Sequence, residues 1–218
     1  MSEQYIVHGA LGSGSAPVEA ALTLLDLPYR VIESAILSER RADPELAKVN
    51  PLLQVPALTL PSGEVMTESA AILTWLADAH PEARLAPTMA GIARPAFLRW
   101  MSFVSAAIYG LFWIRDDPGR VTDGGEAARA LLRARTAERI TECWRIMDAQ
   151  VDPGRFILGD DLGVLDLYVT AVSRWGPRRR AFYAAAPKMS AVVRRVDADP
   201  RLAAFWAERF PFADGWEG

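Results

Sequence analysis

The sequence predicts a mixed α/β unit followed by an all-α one, and three observations carry that expectation. The first 80 or so of the 218 residues alternate short β-rich segments with amphipathic runs, no convincing strand follows them, and the charge changes sign between the two parts. Residues 1–85 hold 5 basic and 11 acidic side chains, against 19 and 16 in the remainder. A chain of this length can form two small domains. The boundaries read here are 1–82 and 88–218, with HPEARLAPT as the Pro-containing linker.

Residues 4–9 (QYIVHG) make a first strand, ALGSGS a turn and PVEAALTLLDL a helix. Pro17 suits a first helical turn, where its missing N–H costs nothing. LPYRVIES gives a second strand and completes a βαβ unit. LSERRADPELAKV is a weak helix or loop, VPALTL a third strand, PSG a turn and EVMT a fourth strand. ESAAILTWLADAH then places Ile72, Leu73 and Leu76 at helical spacing. Beyond the linker, ARPAFLRWMSFVSAAIYGLFWI, GGEAARALLRARTAERITECWRIMDAQV, VLDLYVTAVSRW, KMSAVVRRVDA and PRLAAFWAERF all read as helices.

Half the residues are apolar and 23% are charged, an ordinary globular composition. No apolar run approaches the length that crosses a bilayer, and MSEQYIVHGALGSG lacks the basic start and long apolar stretch of a secretory signal. The expectation is a cytoplasmic protein with no membrane partner. Cys143 is the single cysteine, which excludes an internal disulfide and a cysteine-based zinc site; in an amphipathic helix it reads as a small buried hydrophobe. The basic residues after residue 85 are nearly all Arg and are interleaved with acids, as on a solvated surface rather than a nucleic-acid patch. Arg178, Arg179 and Arg180 are the one run of cations that could meet an anionic ligand.

Three local constellations carry chemistry. The first is Pro56 in NPLLQVPALTL. Proline gives no N–H to a ladder, so it belongs on an edge or at a strand's start. A cis bond there would turn the N–H and C=O of Val55 outward, where an extended peptide can pair with them as one more strand. The second is Glu68-Ser69, where a strand hands over to a helix. The helix N-terminus and a serine hydroxyl favour a carboxylate, while Glu68 can hold an ammonium, so the pair could recognise both charges of an α-amino acid end. The same dipeptide is also an ordinary helix cap. The third is Gly12-Ser13-Gly14-Ser15. Glycines bring the backbone close to a ligand, and a hydroxyl beside a helix start could stabilise a thiolate. Lowering a thiol pKa by roughly two units needs only about 2.7 kcal/mol.

Taken in this order, NPLLQVPAL, TESAAILTWL and LGDDLGVLDLYVTAVSRW resemble the motifs of a soluble glutathione S-transferase of the bacterial serine/cysteine type. The resemblance implies the glutathione S-transferase fold: a thioredoxin-like N-terminal domain, an all-helical C-terminal domain and a homodimer. It implies glutathione as co-substrate, no metal, and transfer of its thiolate to an electrophilic, largely apolar small molecule, a detoxifying activity. Val55 would pair with the cysteine of glutathione, flanked by Gln54, Pro56 and Gly12, and Glu68 with Ser69 would take the γ-glutamyl end. Ser13 or Ser15 would hold the sulfur, since His8 stands where other members carry a tyrosine. The cysteine of cysteine-type members falls on Gly14. Tyr109 and Trp113, four apart on the first long C-terminal helix, would receive the second substrate. In the last motif Gly163 replaces a hydroxyl cap, while Asp166 keeps the reciprocal bond and Leu162 and Leu167 form a staple.

Two rivals stand beside this reading. GSGSAP followed by Glu33 is similar to a dinucleotide-binding turn, but its third glycine is Pro17 and no further βα units follow. The other keeps the fold without conjugation: an isomerase, dehalogenase, peroxidase or disulfide reductase using glutathione, or a non-catalytic glutathione-binding or protein-interaction module.

Overall fold

A computed structural model describes residues 4–34, 43–176 and 179–212. Four short strands, β1 (Tyr5–Gly9), β2 (Tyr29–Glu33), β3 (Ala57–Thr59) and β4 (Val65–Thr67), form one sheet in the order β2-β1-β3-β4. β1 runs parallel to β2 with Val7 opposite Val31, and antiparallel to β3 with Val7 opposite Leu58; β3 and β4 form a hairpin. Helices α1 (Ala16–Leu24), α2 (Pro44–Val49) and α3 (Ser69–Ala79) complete this part. Val7 and Leu58 are wholly buried, as are Leu22 on α1 and Ile72, Leu73 and Leu76 on α3. Each such side chain removed from water contributes about 1.5–3 kcal/mol. This is the thioredoxin-like half. Its mixed sheet, with no further βα unit among the described residues, is not the doubly wound sheet that a dinucleotide-binding domain needs.

The helical half comprises α4 (Arg94–Phe103), α5 (Gly110–Asp116), α6 (Glu126–Gln150), α7 (Val164–Arg174), α8 (Arg180–Ala185), α9 (Pro187–Asp197) and α10 (Ala203–Arg209). α4 and α5 are joined by a π-helical stretch, Val104–Tyr109, into one continuous helix. That helix spans 23 residues, and its most apolar 18-residue stretch has mean hydropathy 1.4. It is therefore long and apolar enough, by length and composition, to cross a membrane, contrary to the expectation from apolar runs. It also supplies Phe97, Trp100, Val104, Ile108 and Phe112 to the core, where α7 contributes Tyr168 and Val172. Cys143 is buried in the same core, as expected.

Three local expectations change. The third strand starts at Ala57, so Pro56 precedes the ladder and gives up no bond within it. The arginine run is not a patch: Arg179 is fully buried on Asp197 and the Thr170 carbonyl, Arg180 is exposed, and Arg178 lies outside the described residues. Helix α8 was not separated from its surroundings by periodicity. Part of LSERRADPELAKV also lies outside the described residues, and its remainder forms α2, capped by Asp43.

The α7 cap follows the expected pattern with one addition. Asp166 accepts the N–H of Gly163 at 2.8 Å and that of Ile157 at 2.8 Å. A side chain at Gly163 would stand 2.8 Å from the Leu85 carbonyl oxygen, which itself accepts the Val164 N–H. Glycine is here because a neighbouring backbone occupies the place of the hydroxyl.

Candidate functional site

A cavity of about 870 Å3 opens where the sheet's loops face the π-helical stretch, α5 and Trp175, the residue after α7. Three loops of the first half border it, and each has a local reason for its shape. In the segment from Asn50 to Pro56, the Asn50 amide donates to the Gln54 carbonyl at 2.8 Å and its oxygen accepts the Leu52 N–H at 3.1 Å. The Val55–Pro56 peptide is cis, and both residues line the cavity with Gln54. The Val55 carbonyl points across the cleft and accepts the Tyr109 hydroxyl at 3.3 Å, a long bond that leaves a second lone pair.

Glu68 precedes α3 with φ 65°, a left-handed backbone costly for a residue with a Cβ. Such strain concentrates at ligand-binding turns. Glu68 and Ser69 both border the cavity. Ser69 begins α3, so its N–H faces outward, while its hydroxyl donates to the Tyr168 phenol at 3.0 Å.

The turn before α1 is held by a chain of hydrogen bonds. Ser15 Oγ lies 2.6 Å from Glu19 Oε1, and Glu19 is wholly buried against Arg209, whose Nε is 2.5 Å away. An ionised carboxylate only accepts, so the single hydrogen of Ser15 goes to Glu19. Ser15 Oγ then accepts from the Ala10 N–H at 3.2 Å and from the Ser13 hydroxyl at 3.0 Å. Ser13 Oγ accepts the Ser15 N–H at 3.2 Å. Ser13 borders the cavity; Ser15 is fully buried and does not.

Gly12 also borders the cavity and has φ 65°, which glycine adopts freely. Its N–H donates to the Arg209 carbonyl at 3.0 Å, and its carbonyl accepts the Trp175 indole N–H at 2.8 Å. Gly14 is equally constrained: a Cβ there would stand 1.9 Å from the Tyr109 hydroxyl.

On the helical side, Tyr109 ends the π turn, with its ring edge-on to Trp175 at 4.6 Å and to Tyr168 at 6.3 Å. Burial raises its phenol well above the ordinary range, so it stays protonated and a donor. Trp113 is 41% exposed and borders the cavity, so it is not a core residue. Arg120 stacks over its ring at 5.1 Å. His8 sits on β1, buried, with Nδ1 unpartnered among the described residues, and burial lowers its pKa.

Nine of the ten residues expected at the site thus line one cavity, and only Ser15 stands behind it. Glu19, Tyr168, Trp175 and Arg209 were not anticipated. Tyr168, Trp175 and Arg209 act on partners distant in sequence, which no local pattern signals; Glu19 bonds Ser15 only four residues away, a first-turn pairing that the spacing could have shown. Among the described residues no group of His, Cys, Asp and Glu is arranged to hold a metal ion.

Residues 8–84 match the family described as the glutathione S-transferase N-terminal domain. Over 198 residues, 90% of this chain and 94% of the relative, the sequence is 32% identical to the uncharacterized GST-like protein YncG of Escherichia coli (strain K12). It is 28% identical over 127 residues, 58% of this chain and 59% of the other, to the glutathione S-transferase GstA of Escherichia coli O157:H7. Among solved structures, a glutathione transferase homologue from Sulfitobacter with bound glutathione superposes with a TM-score of 0.84 at 22% identity, covering 94% of this chain and 98% of that one. A beta class glutathione S-transferase of Sphingomonas chungbukensis gives 0.76 at 24% identity, with the same coverages. At these identities the structural likenesses speak for the fold.

Proposed function

The chain belongs to the glutathione S-transferase family, and from that premise we propose that it binds glutathione in this cavity and transfers its sulfur to a small, largely apolar electrophile. The observation that carries the reading is that Val55, Glu68 and Ser69 all line one cavity. Glutathione lies extended along the Val55 edge, its cysteine paired with the Val55 N–H and with the free lone pair of the carbonyl. Its γ-glutamyl carboxylate meets the start of α3 at Ser69, and its ammonium meets Glu68. The Sulfitobacter homologue, which shares this fold, holds glutathione.

Leu11, Phe112, Trp113 and Trp175, which also line the cavity, offer apolar surface to the electrophile. The hydroxyls of Ser13 and Tyr109 border the same cavity. Catalysis then rests on lowering the thiol pKa and on holding sulfur and electrophile together. The same reading places the protein in the cytoplasm as a homodimer, with neither metal nor nucleic acid taking part.

The test pairs two measurements: retention on immobilised glutathione, and turnover of glutathione with a generic aromatic halide. Retention with turnover supports the proposal. Retention without turnover reduces it to a binding module, and absence of both contradicts it.

A further inference from the structure

Among the described residues, Arg120 is the one cation that lines the cavity; the other charged side chains on its lining, Asp43, Glu68 and Asp116, are acidic. Its guanidinium is anchored from three sides. Nη1 donates to the Trp113 carbonyl at 2.6 Å, Nε faces the Asp117 carboxylate at 3.7 Å, and the guanidinium stacks over the Trp113 ring at 5.1 Å. An arginine has five N–H donors, and only the one on the Trp113 carbonyl makes a hydrogen bond among the described residues. The 3.7 Å approach to Asp117 is an ion pair too long to be a hydrogen bond. The side chain is 34% exposed, so the unused donors are partly withdrawn from water and already held in direction. Tyr109 touches the Val55 carbonyl, and Trp113 follows it by four residues on the same helix face. The guanidinium therefore stands a turn beyond the docking edge, at the part of the cavity that glutathione leaves to the second substrate.

Resting on the glutathione-binding reading above, we propose that Arg120 determines specificity for an electrophile that carries a carboxylate on a planar conjugated system. The planar part lies against Phe112 and Trp113, and the carboxylate takes two of the unused guanidinium donors. Arginine suits this task because its planar fork matches the two oxygens of a carboxylate. The stacked indole and the Trp113 carbonyl fix the fork before the substrate arrives, so little side-chain freedom is lost on binding. Asp116 is the opposing charge: it lines the same cavity and lies within the field of Arg120. It repels an anion through partly screened space, whereas the fork meets one by direct hydrogen bonds, and the direct contact dominates.

The experiment compares two aryl chlorides, a chloronitrobenzoate and the matching chloronitrobenzamide, each with chlorine para to the carbonyl group. In both, the glutathione sulfur bonds to the ring carbon and chloride leaves. The ratio of their kcat/KM values, divided by the ratio of their uncatalysed rates with glutathione, reads selectivity, because a fault in folding or in glutathione binding scales both substrates equally. The natural protein is expected to favour the benzoate about tenfold, the size of a charge-assisted contact at a partly exposed site. Arg120→Gln brings the ratio within about twofold of one, Arg120→Lys leaves an intermediate value, and Asp116→Asn raises it above that of the natural protein. A ratio near one in the natural protein, or one that Arg120→Gln does not lower, overturns the assignment, while turnover of the benzamide keeps the glutathione reading. A raised KM for glutathione in Arg120→Gln with the ratio unchanged also overturns it, by giving the guanidinium to glutathione instead. Turnover of neither chloride by the natural protein overturns the conjugation reading, and the assignment with it.

Discussion

The Ser69 hydroxyl donates to Tyr168 across 99 residues of sequence, and Ser69 begins α3, so on the proposed reading a carboxylate would meet two donors at this residue, the N–H and a hydroxyl that can turn toward it. Ser69→Ala removes one of them. Glutathione affinity should fall about fivefold, roughly 1 kcal/mol, in calorimetry; an unchanged value would take the hydroxyl out of the site. That Val55, Glu68 and Ser69 come together at one cavity was legible because the signals are local: a proline, a strand end and a helix start. Which of Ser13 and Ser15 borders the cavity was not, because packing decides it: Ser15 is wholly buried with its hydroxyl on Glu19, while Ser13 lines the cavity. Nothing in the spelling of GSGS shows which hydroxyl faces the cavity.

Among elements, the start of α7 makes a pH-dependent claim. Asp166 is wholly buried, and burial pushes its carboxyl up to about 7 against the pull of its backbone donors. Between its unfolded value of 3.8 and that folded value, the native chain binds a proton the unfolded chain has released. The stability this group contributes is therefore present below about pH 4 and lost as pH rises toward about 7. In urea unfolding, the midpoint advantage of the natural protein over Asp166→Asn should narrow over that range; a widening gap would contradict the assignment. The capping residues were readable from sequence, whereas the reason for Gly163 was not, since the Leu85 carbonyl that crowds it comes from a distant segment. Similarly, residues 93–114 read as one helix, close to the observed Arg94–Asp116, but nothing in them shows the π turn that ends at Tyr109. A helical period shows which face is apolar and does not show where packing inserts a residue into the turn.

Across the molecule, the two halves are tied at the C-terminal end of α10. Arg209 reaches Glu19 on α1 and Glu33 on β2, its carbonyl accepts the Gly12 N–H, and Phe210 lies against Gly12. Glu19 and Arg209 are 190 residues apart, so the charge contrast that separated the halves in the sequence could not reveal the ion pair that joins them. Arg209→Leu would leave the Glu19 carboxylate buried without its cation. The expected cost is about 3–5 kcal/mol in denaturant unfolding; a loss below about 1 kcal/mol would show that the clamp contributes little. The mixed sheet and helical half were legible because each rests on repeated local periods. The seam between them was not, because it is built from single side chains. The most direct test of the account is a crystal structure with glutathione bound. It should show the tripeptide's cysteine paired with the Val55 backbone and its γ-glutamyl carboxylate at Ser69. Glutathione lying elsewhere, or a cleft that stays closed by Tyr109 on the Val55 carbonyl at saturating ligand, would contradict it.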